Sequence, residues 1–178
     1  MIEFRPLAEE DLAQVEEWLA RPHVARWWRD EIADTLAELR AAIEGRDASE
    51  QHVILLDGRP IGLIQTYLAA DHPEWEAIVQ VGPGVAGLDL FVGDEELIGR
   101  GLGPRIIAAF AREVVLARDG VDAVIATVEE ANRRSWRAFE KAGFRHVRDV
   151  VEDGLPCRLL RLDRGAAASS GDPPGERR

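Results

Sequence analysis

The sequence predicts one α/β domain of the α+β kind, a single central mixed sheet of about seven strands flanked by about four helices. Three observations carry that prediction. Short apolar strand runs alternate with helical patterns in the order strand, two helices, three strands, helix, strand, helix, two strands. Asp57-Gly58 separates two of the apolar runs and marks a hairpin. A loop with three alternating glycines, Gly99, Gly101 and Gly103, opens into a helical apolar pattern in the middle of that order.

Each element follows from local chemistry. Residues 3–7 form a short strand that Pro6 ends. Leu12, Val15, Trp18 and Leu19 give residues 9–19 the spacing of an amphipathic helix, ended by Pro22. Trp27 and Trp28 are adjacent, so one turn cannot bury both in the same core. One of them is expected in a cleft wall, where an indole stacks on a flat or cationic ligand, or over a loop. Ile32, Leu36, Leu39 and Ile43 make a second amphipathic helix, closed at Gly45. Residues 52–56 and 60–68 are the hairpin strands, and residues 71–80, polar around Trp75, are expected as a surface loop. Residues 85–92 form a strand with one acid, Asp89, in an apolar setting. The glycine loop and its helix run to about residue 118, a strand covers 121–127, and a short helix at 132–142 is closed by Gly143. Residues 144–151 and 157–162 pair through Asp153-Gly154. The domain is assigned to residues 1–164; residues 165–178 lack a hydrophobic pattern and are expected to be a disordered tail.

At 178 residues and 46 % apolar, the chain suffices for one full core. A net charge of −11 argues against a nucleic-acid partner and suits a cationic ligand, although acidity serves solubility equally well. The single cysteine, Cys157, excludes an internal disulfide, and His23, His52, His72 and His146 lack ligand spacing, so no metal is expected. No basic segment precedes an apolar run at the start and no run approaches the ~20 residues of a membrane span, so a cytoplasmic protein, monomer or homodimer, is expected.

The loop of Ile98, Gly99, Arg100, Gly101, Leu102, Gly103 and Pro104 is a candidate phosphate cradle. Glycine reaches positive φ and lets an anion approach the unpaired amides of a helix start, and Arg100 and Arg105 add charged donors. The competing reading is a turn before a core helix. What decides between them is a second motif downstream, Asn132 with Ser135 and Trp136, closing on Phe139-Glu140-Lys141-Ala142-Gly143-Phe144.

These two motifs, in this order, resemble those of the GNAT superfamily of acyl-coenzyme A-dependent N-acyltransferases. Within it the chain is similar to the aminoglycoside 6′-N-acetyltransferases over most of residues 2–163. The similarity rests on Trp27-Trp28, on Asp57 to Gly62 with Gln65 and Tyr67, on Trp75-Glu76, on Pro83 to Asp89, and on Asp153-Gly154. The resemblance implies the GNAT fold and acetyl-CoA as donor, bound by residues 98–104, by the strand backbone at Leu90, Phe91 and Val92, and by Asn132, Ser135, Phe139 and Lys141. It implies an aminoglycoside-like acceptor held by Trp27, Trp28, Tyr67, Trp75, Glu76, Asp89, Glu129 and Asp153. Asp89 is then the catalytic base, or the acid that orients the amine, for direct attack through a tetrahedral intermediate. Departures mark this chain. Ile98 stands where a polar residue is usual. The family's Asp before the Asn motif is replaced in the run Thr127-Val128-Glu129-Glu130, where Glu129 or Glu130 would have to substitute. Phe139 replaces a frequent tyrosine, leaving Tyr67, water or unassisted departure to serve the thiolate.

An apolar strand raises a carboxyl's pKa toward a useful base, while the plain alternative for Asp89 is a loop cap; for Asn132 it is a helix cap, and for Arg133, Arg134 and Arg137 a solvated face rather than a contact to the nucleotide phosphate. Competing functions are a siderophore-type lysine acyltransferase, a peptide acetyltransferase, and a non-catalytic acyl-CoA-binding regulatory module.

Overall fold

The computed structural model describes residues 1–165 of the chain. Seven strands, β1 (Ile2–Pro6), β2 (Glu50–Leu56), β3 (Arg59–Leu68), β4 (Val85–Val92), β5 (Ala123–Glu129), β6 (Arg145–Glu152) and β7 (Leu155–Asp163), form one sheet in the order β1-β2-β3-β4-β5-β7-β6. Neighbours are antiparallel except β4 and β5, which are parallel. The helices are α1 (Leu12–Leu19), α2 (Pro22–Ala25), α3 (Ile32–Ile43), α4 (Pro73–Val79), α5 (Leu102–Phe110) and α6 (Arg133–Lys141). A single 3-10 turn at Glu9–Asp11 leads into α1, and α5 continues into a π-helical stretch over Ala111–Val115.

The mixed sheet is as expected, with six α-helices among the described residues rather than about four. The correction falls at 71–80, which is helical and not a loop. Pro73 occupies the first turn, where its missing N–H costs nothing, and Trp75, Ile78 and Val79 turn one face inward. Pro22 likewise starts α2 instead of merely ending α1. The tail expected from Gly165 onward lies, apart from Gly165 itself, outside the described residues.

Side chains alternate across the sheet, and that alternation builds two different faces. Ile54, Ile64, Leu88, Val124, Ala126 and Leu160 point to the face covered by α5 and α6, forming one continuous core with Ile106, Ile107, Phe110 and Phe139. The opposite face has two separate cores. Val53, Leu63 and Phe91 pack under α1, α2 and α3, while Val85, Ile125, Val150 and Leu159 pack under α4. The gap between those two cores is where polar residues can sit.

A second opening coincides with it. β4 and β5 pair only from Val85 to Gly87 against Ala123 to Ile125, although β4 runs on to Val92 and β5 to Glu129. Beyond Gly87 the parallel strands diverge. The sheet is therefore split at its centre, and the split connects the two faces.

Candidate active site

A cleft of about 590 Å³ occupies the split. On the α5/α6 side its walls include Leu88, Leu90, Asn132, Ser135 and Phe139; on the other side they include Gln65, Asp89, Thr127, Glu129, Glu152 and Cys157. Trp27 and Trp28 close one end, both half-buried, with Trp28 edge-on to Phe91 at 5.2 Å. The question of which tryptophan faces the core has the answer that neither does fully, and both line the cleft.

Asp89 stands at the mouth of the split. Its Oδ2 accepts the Tyr67 hydroxyl at 2.7 Å and Gln65 Nε2 at 3.1 Å, which register pairs on β3 bring alongside it. No hydrogen bond to Oδ1 is made among the described residues. Burial pushes the Asp89 carboxyl above its ordinary range, against the lowering effect of Tyr67, Gln65 and His72. Burial and the adjacent Asp89 likewise raise the Tyr67 hydroxyl well above its usual value, so it remains a donor. Tyr67 itself does not line the cleft; it is wedged edge-on between His72 at 4.8 Å and Trp75 at 5.2 Å. Gly87 makes room for this arrangement, since a Cβ there would meet the Tyr67 ring at 2.5 Å and Trp75 at 2.9 Å.

The split also frees backbone amides. Gly93 donates to Ile61 O on β3 at 2.8 Å, so by alternation Phe91 faces β3 while the Leu90 and Val92 edges face the gap. The Val92 carbonyl is met there by His23 Nε2 at 3.1 Å. Of the backbone positions expected to serve a ligand, Leu90 and Val92 turn to the gap and Phe91 turns to β3.

At the start of α5, Gly99 (φ 82°) and Gly101 (φ 75°) adopt the left-handed conformation that the loop reading required. Gly101 is the helix N-cap and has no side chain to occupy the first-turn amides. A Cβ added at either glycine would meet nothing within 4 Å, so the cradle is open to solvent. The Ile98 amide is spent on Glu95 O at 3.0 Å. Arg100 and Arg105 are exposed, Leu102 anchors the loop in the core, Pro104 has no amide to offer, and Gly103 faces α6, where a Cβ would make an ordinary contact with Ala138 at 3.5 Å. Asn132 caps α6 through Ser135 N at 3.3 Å while also lining the cleft.

The other expected site residues are divided between the cleft and places outside it. Lys141 is exposed in the last turn of α6, about 12 Å along the axis from the end that meets the cleft. Glu76 receives the Val81 and Gly82 amides on Oε1, at 3.2 and 3.0 Å, and closes its own helix end. Trp75 supports Tyr67 rather than lining the cleft. Glu129 lines it but is held by Arg29, with contacts of 2.7 and 2.9 Å. Asp153, at the β6–β7 turn, is exposed at the rim. Arg133 faces a separate hollow with Trp136, His146, Asp149 and Arg158. Sequence reasoning missed Glu152 and Arg29. Cys157 is buried at the cleft wall with its thiol pushed up to about 11 by burial and nearby carboxylates, in keeping with no nucleophilic role. Among the described residues, no group of His, Cys, Asp and Glu could hold a metal ion, and no helix is long and apolar enough to cross a membrane.

This geometry has counterparts. Residues 8–151 match the acetyltransferase (GNAT) domain family model. The chain belongs to the GNAT acetyltransferase family. It is 30% identical over 172 residues, covering 93% of this chain and 84% of the relative, to an aminoglycoside N(6′)-acetyltransferase type 1 of Klebsiella pneumoniae, and equally to one of Serratia marcescens. The fold superposes on the aminoglycoside acetyltransferase AAC(6′)-Ib in complex with coenzyme A with a TM-score of 0.87 at 27% identity, covering 97% of this chain and all of that one. A structure of AAC(6′)-Ib with coenzyme A and kanamycin gives the same TM-score. The acetyltransferase thus shares its fold with relatives whose structures hold coenzyme A.

Proposed function

We propose that this acetyltransferase transfers the acetyl group of acetyl-CoA to an amino group of an aminoglycoside, the 6′-amine. The observation that carries the reading is Asp89, a buried carboxylate aimed into a cleft whose other ionisable lining is mostly acidic (Asp30, Glu129, Glu152 and Asp153 against Arg29). Such a cleft concentrates a polycation.

The residues present fit the donor. The open amides after Gly101 suit a pyrophosphate, and the Leu90 and Val92 edges suit the amide groups of a pantetheine arm lying in the split. Acetyl-CoA supplies the activated acyl group as a thioester. Asp89 attracts the ammonium, orients it and takes its proton, directly or through water, once its own carboxylate is formed. The freed amine attacks the acyl carbon. The C–N bond forms, the C–S bond breaks, and the Leu90 amide faces the developing oxyanion. Tyr67 and Gln65 hold the Asp89 carboxylate in place; with its hydroxyl committed there, Tyr67 is a positioning residue and not the acid for the thiolate. Phe139 carries no proton to give, and a thiolate of ordinary pKa near ~8.5 departs into water unaided.

The test is release of free thiol from acetyl-CoA with kanamycin and other aminoglycosides, against lysine derivatives and spermidine. Turnover of the aminoglycosides is expected; turnover of a lysine derivative or spermidine alone would overturn the reading. The Arg29–Glu129 pair bears on the same assay. Arg29→Ala frees the Glu129 carboxylate toward the substrate, so the aminoglycoside KM should fall about threefold with the acetyl-CoA KM unchanged. A higher aminoglycoside KM would show that Arg29 instead shapes the wall.

A further inference from the structure

The cleft wall carries several carboxylates, and their partners distinguish them. Glu129 is clamped by both guanidinium nitrogens of Arg29, so its charge is already answered. Glu130 turns into the hollow beside Arg133 and Trp136. Asp30 and Asp153 are exposed at the rim, where solvent screens them. Glu152 differs from all four. It is the last residue of β6, half-buried in the cleft wall, and no basic side chain pairs with it among the described residues.

Its placement follows from register. Val150 pairs with Cys157 of β7, which in turn pairs with Glu129 of β5, and two residues on, Glu152 pairs with Leu155 on the same face. Register fixes the face, and the side chain then reaches Thr127 of β5 and Trp75 of α4 in the wall of the same cleft as Asp89. The groups that face it are Thr127 on β5, Trp75 on α4, Asp89 on β4, Tyr67 on β3, Cys157 on β7 and its neighbour Asp153. None is cationic. Burial and the field of Asp89 and Asp153 push the Glu152 carboxyl up, with Thr127 and Trp75 acting the other way. Thr127 and Trp75 give Glu152 neutral hydrogen-bond partners, but no cation answers its charge beside a second buried carboxylate. A bound ammonium would satisfy both.

We infer that Glu152 is the second carboxylate of the acceptor site, holding with Asp89 the cationic amine that enters the split, a place the sequence assigns to Glu129 or Glu130. The inference rests on the aminoglycoside reading above. It explains how the chain manages with Thr127-Val128 where relatives' motifs supply an acid: the charge comes from β6 across the sheet, and Glu129 is left to Arg29.

Steady-state kinetics of the full chain with kanamycin test it. Glu152→Gln should raise the kanamycin KM about tenfold with the acetyl-CoA KM unchanged. With one like charge removed from beside Asp89, the acidic limb of kcat/KM should also move to lower pH. Glu129→Gln should change the kanamycin KM less than threefold, and Glu152→Asp, which keeps the charge, should recover most of the loss. A Glu152→Gln enzyme with a kanamycin KM within twofold of wild type and an unmoved limb overturns the inference, as does a larger loss in Glu129→Gln. An Asp variant as weak as the Gln variant does the same. Wild-type enzyme that turns over no aminoglycoside sinks the acceptor reading and this inference with it; wild-type turnover with an indifferent Glu152→Gln sinks only the role of Glu152.

Discussion

Asp89→Asn should lower kcat/KM for the acceptor about a thousandfold while leaving acetyl-CoA binding intact, within the range for loss of a general base. Asparagine keeps the shape and can still accept from Tyr67 and Gln65, so the change removes charge and basicity rather than packing. The pH profile gives a second reading. Because burial raises the Asp89 carboxyl, wild-type kcat/KM should climb with pH along a limb above the ordinary carboxylate range, and the variant should lack that limb. Activity within tenfold of wild type across pH 6–9 would remove Asp89 from the mechanism. Stability should move the other way. A carboxyl whose folded pKa is raised contributes stability that is present below its unfolded value and lost as pH rises through the folded one. At neutral pH the buried charge is therefore a liability, and Asp89→Asn should melt a few degrees higher than wild type, equivalent to about 1 kcal/mol, with the difference vanishing in acid.

Gly101→Asp should raise the acetyl-CoA KM about a hundredfold with the fold retained. The residue sits at φ 75°, a conformation that Asp tolerates better than most side chains, so the backbone strain is about 1 kcal/mol. The open space around its Cβ position means no clash. What changes is electrostatic: a carboxylate at the mouth of the α5 amides repels the phosphates they are free to receive. Gly101→Asn is the matched control, with similar shape and no charge, and should lose only a few-fold. Equal KM values for the Asp and Asn variants would mean that the loop does not bind phosphate through its charge, whatever its shape.

The glycine loop and the cap of α6 were legible because each is local in sequence. Glycines at 99, 101 and 103 and the Asn132 cap sit at helix starts, where backbone chemistry alone dictates residue type. The bounds of α3 and β4 coincide with those read from apolar spacing, since neither pattern is interrupted. Helix α4 was not legible as helix because its apolar positions are few and its exposed residues, Pro73 and Glu74, resemble loop chemistry. The lining of the cleft was read only in part. Asp89, Gln65, Arg29, Glu129 and Glu152 come from five places in the chain, and only the split between β4 and β5 assembles them. Glu152 in particular precedes Asp153-Gly154, so its acidity reads as part of a turn. Lys141 is adjacent to the Phe139 motif in sequence, but the helix places it in its last turn, away from the end that meets the cleft.

The depth of Cys157 has a practical consequence for anyone assaying this enzyme. It is the chain's sole sulfhydryl, and burial with nearby carboxylates pushes its pKa up to about 11, so it stays a thiol near neutral pH. Colour developed by a thiol reagent therefore reports released coenzyme A with negligible background from the catalyst, even at high enzyme concentration. The same inertness keeps the product from capturing its own enzyme as a mixed disulfide, so a stored preparation should hold its titre without added reductant.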